Sequence, residues 1–170
     1  MTALPRPTGI TTRSPWSDIE AGLWRVLEGR AEFVGLGLTV YRTYDGNILT
    51  PDPQTSKLPA ADLPAVIGEF VAARPQRNQS GWEDVITWRL RGLFPAVGRA
   101  SAEEFAAVAT GILGAGRGGW QQDQPLAALV RTINLGTITC EPLSGLLETG
   151  AFLWQTVVEL SITTAPYRGG

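Results

Sequence analysis

The side chains that could carry chemistry sit in a few places along the chain. Glu103 and Glu104 are adjacent acids, and paired carboxylates can divide acid and base roles if their environments separate their pKa values. Their setting gives them another task. Ser101-Ala102-Glu103-Glu104 has the form of a capping box, and negative charge in a first helical turn is stabilised by about 0.3–1 kcal/mol. Glu83-Asp84 opens a strand with nothing to separate the two titrations. Asp45-Gly46-Asn47 lacks the ligand series of a calcium loop and reads as a turn. Residues 114–119 are rich in Gly, but they follow a helix instead of joining a strand to one, and no Gly-Lys-Ser/Thr accompanies them, so a phosphate cradle is not indicated. The chain has no histidine and a single cysteine, Cys140. Triads that need an imidazole are excluded, and one thiol cannot close a zinc site or an intramolecular disulfide. Cys140 is expected to be a buried small hydrophobe in a protein suited to a reducing cytoplasm. Neither catalysis nor a cofactor or metal is expected.

Charge points to contacts instead. Arg89 and Arg91 share the outward face of one strand, and Gln155 and Glu159 that of another. Such groups pair across a sheet or meet a second copy of the chain. Trp82 and Trp120 are placed in loop-like segments, where a large aromatic plugs the core margin or anchors a partner. These six residues are the candidate subunit interface. With 14 basic and 16 acidic residues scattered along the chain, no basic stripe exists to hold a nucleic acid tightly. Residues 1–7 lack the apolar core of a signal peptide, and no apolar run approaches the roughly 18 residues of a spanning helix, so a soluble, unsecreted protein with no membrane partner is expected.

The elements that must position these groups follow from periodicity. Residues 1–13 read as an extended Pro- and Thr-rich arm, followed by one domain over 14–165 and a short tail over 166–170. Ser14 and Pro15 begin a helix over about 15–28, with Trp16, Ile19, Leu23, Val26 and Leu27 as its buried stripe and Gly29 as its stop. A strand over 36–42 leads into a long loop over 43–62. A second strand covers 63–71, and Pro75 ends it. In the next, Ile86, Trp88 and Leu90 face one way and Val85, Thr87, Arg89 and Arg91 the other. A second helix begins at the capping box and buries Phe105, Val108, Ala109, Ile112 and Leu113. Residues 120–131 read as a short turn, with 125–130 compatible with a single helical turn or the approach to a strand, and a strand over 132–143 and a connection through Ser144-Gly145 then form a hairpin with the last strand, 150–163. There Phe152, Trp154, Thr156, Val158, Leu160 and Ile162 point inward. The fold class is α+β: a mixed, mainly antiparallel sheet of four to five strands with two helices packed on one face.

This order of elements, with Pro64-Ala65-Val66-Ile67-Gly68-Glu69, Trp82-Glu83-Asp84-Val85-Ile86-Thr87-Trp88-Arg89-Leu90 and the closing strand from Trp154 to Ile162, resembles the tail terminator proteins of long-tailed bacteriophages over roughly residues 15–163. The resemblance implies a non-enzymatic virion protein, assembled in the host cytoplasm, that forms a hexameric ring at the head-proximal end of the tail. Such a ring halts tail tube polymerisation and joins the tail to the head connector. Its implied partners are further copies of itself, the tail tube protein and the connector or head-completion protein, with DNA passing through the lumen without tight binding. The arm and the 43–62 loop depart from the compact version of that family. Alternatives are a neighbouring head-completion or tail-completion ring and, from another class, a small-ligand-binding α+β module.

Overall fold

The computed structural model describes residues 15–41, 58–79, 81–114 and 119–166. The expectations for the arm, Ser14, the Asp45-Gly46-Asn47 turn and most of the long loop lie outside these residues. In chain order the elements are α1 (Pro15–Glu28), α2 (Ala31–Val34), β1 (Thr39–Tyr41), a 3-10 turn (Ala60–Asp62), β2 (Ala65–Asn78), β3 (Gly81–Pro95), α3 (Arg99–Leu113), a second 3-10 turn (Gly119–Gln122), α4 (Gln124–Leu129), β4 (Val130–Leu143) and β5 (Leu153–Thr164). They form the expected α+β fold. One five-stranded sheet has the order β1-β2-β3-β5-β4, parallel between β1 and β2 and antiparallel elsewhere.

Alternation along β3 and β5 builds the main core. Ile86, Trp88 and Leu90 bury against Val158, Leu160 and Ile162, and α1 and α3 cover that face with Leu23, Trp24, Leu27, Phe105, Ala109 and Leu113. α1 has the expected bounds, but its aromatic anchor is Trp24, not Trp16. Trp24 meets Trp88 edge-on at 5.9 Å, whereas Trp16 is 40% exposed and stacks on Phe70 at the margin. Gly68 decides this. A Cβ there would lie 2.6 Å from both the Trp24 and Trp88 rings, so only glycine admits the indole pair over β2.

Several boundaries differ for identifiable reasons. The first strand, described as Thr39–Tyr41, begins later than expected, because Gly37 adopts φ 64 and breaks the extended run, leaving Leu36 and Leu38 to pack on the core from irregular chain. β2 runs through Pro75 to Asn78. Pro75 is in register with Asp84 of β3, and a sheet edge tolerates a missing N–H. The capping box does not form. The turn in which Gly98 N–H donates to the Pro95 carbonyl at 2.7 Å starts α3 at Arg99, so Ser101 is already helical and Gly98 is the N-cap. Glu103 instead pairs with Arg99, four residues earlier, on an exposed face. The short turn expected over 120–131 holds a second 3-10 turn and α4, capped by Asp123, whose carboxylate accepts from Leu126 N–H at 3.0 Å. Phe152 lies outside β5 and is 43% exposed, and Cys140 is exposed on β4. β4 is an edge strand, and the cover of α1 and α3 stops short of most of it.

The opposite face of the sheet carries a second, smaller core. Leu58, Ala65, Ile67, Leu93, Leu147 and Leu153 bury together, with Leu63, Leu143 and Leu146 at the margin. Leu58, expected within a loop, is fully buried, and Leu58 N–H donates to the Leu146 carbonyl at 2.8 Å. The end of the long connection is therefore built into the domain, covering one end of the outer face and leaving the rest polar.

Candidate interaction site on the outer sheet face

Beside the small core, period-two alternation brings five polar side chains into one layer. Glu69, Arg89 and Glu159 stand in direct register across β2, β3 and β5, and Arg91 lies two residues from Arg89 on the same face. Arg89 Nε donates to Glu159 Oε2 at 3.0 Å, and its Nη1 lies 3.9 Å from Glu69 Oε1. Arg91 donates through Nη1 to Glu69 Oε2 at 3.4 Å and through Nε to Gln155 Oε1 at 3.0 Å, with Nη2 closing a second contact to the same oxygen. Glu69 thus bridges two guanidiniums. Two cations and two carboxylates balance, and Gln155, only 7% exposed, supplies a neutral acceptor where a third carboxylate would add excess charge.

The network floors an open depression of about 430 Å3, which Thr137, Thr139 and Val157 complete from β4 and β5. The arrangement can exchange hydrogen bonds with a polar surface. It contains no nucleophile held by a base.

The structure brings Arg89, Arg91, Gln155 and Glu159 together as expected and separates the two tryptophans from them. Trp82 is the second residue of β3, a strand position instead of a loop, half-buried opposite Arg77 at the hairpin end. Trp120 is 6% exposed and belongs to the main core. Its 3-10 turn tucks the indole under the helices, so it cannot reach a partner. Glu69 was missed although the signal was present: counting by twos from Ile67 places it on the outer face. Thr137 and Thr139 depend on a β4–β5 register shift between Leu135 and Ile138 that no local pattern announces.

Glu83 and Asp84 point to opposite faces and form no acid–base pair. Glu83 is 1% exposed. Burial pushes its carboxyl up, but hydrogen bonds from Gln76 (2.8 Å) and Arg131 (2.8 and 3.1 Å), together with the Arg131 charge, outweigh that and hold it below the ordinary range. Asp84 accepts from the Trp16 indole at 3.3 Å, and its own N–H donates to Thr164 Oγ1 at 2.8 Å. Burial and a hydrogen bond to Asp62 push the Tyr41 hydroxyl up to about 12. Among the described residues, no group of three or more His, Cys, Asp or Glu side chains could hold a metal ion, and no helix is long and apolar enough to cross a membrane.

No family model and no curated protein matches the chain. Among solved structures, its fold is similar to that of a chain from the "Virion of native gene transfer agent (GTA) particle", with a TM-score of 0.54 and 15% identity, covering 91% of this chain and 100% of that one.

Proposed function

We propose that this chain is a structural protein of a phage-like virion that acts through repeated copies of itself. Within that class, we read it as the ring at the head-proximal end of a tail that stops tube growth and joins the tail to the head connector. The observation that carries the reading is the fold likeness to a gene transfer agent virion chain over that chain's whole length. The outer face adds to it, because its balanced Arg and Glu layer can re-pair with the same groups on another protein at little cost in unpaired charge. A chain with 16 acidic and 14 basic residues also suits a lumen through which DNA passes without sticking. In this reading the protein is not an enzyme, and its partners are further copies, the tail tube protein and the connector.

Sedimentation of the purified protein across a range of concentrations tests the repeated-copy reading. Association into a closed, ring-sized species supports it. The 430 Å3 depression favours a second reading, a small-ligand module, which predicts a strict monomer whose melting temperature rises with a polar ligand.

A further inference from the structure

The polar layer of the outer face is a run of contacts with two unfinished ends. It passes from Glu159 through Arg89, Glu69 and Arg91 to Gln155. Arg91 carries only donors, so the Gln155 amide turns its oxygen toward the guanidinium and its NH2 group away from it. Gln155 is 7% exposed and lines the depression, yet its Nε2 donates to no acceptor among the described residues. A largely buried donor in that state calls for a group that arrives from outside. At the other end, Glu159 Oε1 accepts no hydrogen bond among the described residues, and the two Nη groups of Arg89 donate none, Glu69 lying 3.9 Å away.

One occupant must suit both ends. Two guanidiniums and two carboxylates already balance, so a lone ion would bring uncompensated charge. A carboxamide accepts through its oxygen and donates through its nitrogen without adding any. Gln155 and Glu159 are four residues apart on β5, about 13 Å along the strand, a span that takes two side chains on one protruding segment.

This chain holds such a segment. Gln121, Gln122 and Gln124 are all exposed on the turn that enters α4. The acid among them is already committed, because Arg25 donates to both oxygens of Asp123 at 3.0 Å and Asp123 also caps Leu126. Of the other turns described throughout, those over 28–31, 59–63 and 144–150 carry charged side chains, and those over 35–38 and 95–98 carry no polar side chain. Trp120 and Leu126 anchor the glutamine turn in the helix layer, whereas the depression opens on the outer face of the sheet. A contact between two such different surfaces repeats from copy to copy and can close a ring.

We infer that the Gln121–Gln124 turn of one copy enters the outer-face depression of the next, its carboxamides accepting from Gln155 Nε2 and Arg89 and donating to Glu159. This rests on the repeated-copy reading above and names the contact that repeats.

Disulfide trapping tests it. With Cys140→Ser as background, Thr139→Cys places a thiol in the depression, and Gln122→Cys or Gln124→Cys places another on the turn. Within one copy Thr139 lies nine residues along β4 from Val130, about 30 Å, while α4 spans only about 9 Å, so the two thiols stay beyond the roughly 7 Å that a disulfide allows between Cα atoms. Any link therefore joins two copies. Under mild oxidation at least one of the two pairings is expected to give a ladder of covalent oligomers ending in a closed species, and Thr139→Cys alone is expected to give none. Gln121→Ser, Gln122→Ser and Gln124→Ser made together should weaken association at least ten-fold in sedimentation and leave the melting temperature of the monomer nearly unchanged, since all three are exposed. Dimers from Thr139→Cys alone would show that outer faces meet each other and overturn the contact. Ring-sized assemblies with no ladder from either pairing, and unmoved by the three serines, would overturn the contact and leave the ring standing. A chain that stays monomeric at every concentration would remove both.

Discussion

Arg89 and Glu159 stand directly opposite each other on β3 and β5, with Nε 3.0 Å from Oε2, on a sheet face that the helices leave uncovered. Both side chains are about one-third exposed, so the pair is expected to contribute only about 0.2–1 kcal/mol to the isolated subunit. A double-mutant cycle with Arg89→Ala and Glu159→Ala, followed by urea denaturation, should return a coupling in that range. If the outer face is a contact surface, the same substitutions weaken association at least ten-fold in sedimentation. Unchanged association would show that the pair is only a solvated cross-strand contact.

Gly68 has no room for a methyl group between Trp24 and Trp88. Gly68→Ala should destabilise the fold by about 1–3 kcal/mol through overpacking, read as a lower denaturation midpoint with an unchanged denaturant slope. A neutral effect would mean that the two indoles are not held edge-on over β2.

The two tryptophans offered by the sequence as contact residues should part company. Trp120→Ala empties a core position and is expected to cost about 3–5 kcal/mol, whereas the half-buried Trp82 at the hairpin end should cost clearly less. Equal losses would contradict the placement of Trp120 under the helices.

Acid sensitivity should trace to Glu83. Its carboxyl is held below the ordinary range in the folded state, so the ionised form contributes stability that is fully present above the unfolded value, about 4.3, and is lost as pH falls through the folded value. Denaturation midpoints should drop on acidification below about pH 4.5, and Glu83→Gln should lower stability at neutral pH while flattening that drop. An unaltered acid slope would show that Arg131 and Gln76 do not hold the charge.

Tyr41 gives the alkaline counterpart. Its hydroxyl is raised to about 12, so the neutral form contributes stability present below the ordinary tyrosine value of about 10 and lost as pH climbs through 12. In an ultraviolet titration one of the three tyrosines should ionise late, and Tyr41→Phe should remove that step.

How much of this was legible depends on whether a residue's fate was decided locally. β3 could be read because Ile86, Trp88 and Leu90 alternate strictly with Arg89 and Arg91, and the same alternation along β5 adds Gln155 and Glu159, so four of the six expected contact residues reach one face. α1 was legible in extent but not in its anchor: Trp16 and Trp24 both fit a helical stripe, and the choice rests on Gly68, more than forty residues away. The capping box was a sound local signal overridden by the turn at Gly98, which begins α3 earlier. α4 starts at the Asp123 cap with Pro125 in its first turn, a local signal that lies inside the stretch read as a short turn. Leu58 and Cys140 were not readable at all, since the burial of one and the exposure of the other follow from what packs over the sheet's ends and edges.

The most direct test is electron microscopy of virus particles assembled without this chain. Overlong tails detached from heads are the predicted result, because nothing would halt the tube or join it to the connector. Tails of ordinary length on intact particles would contradict the central claim.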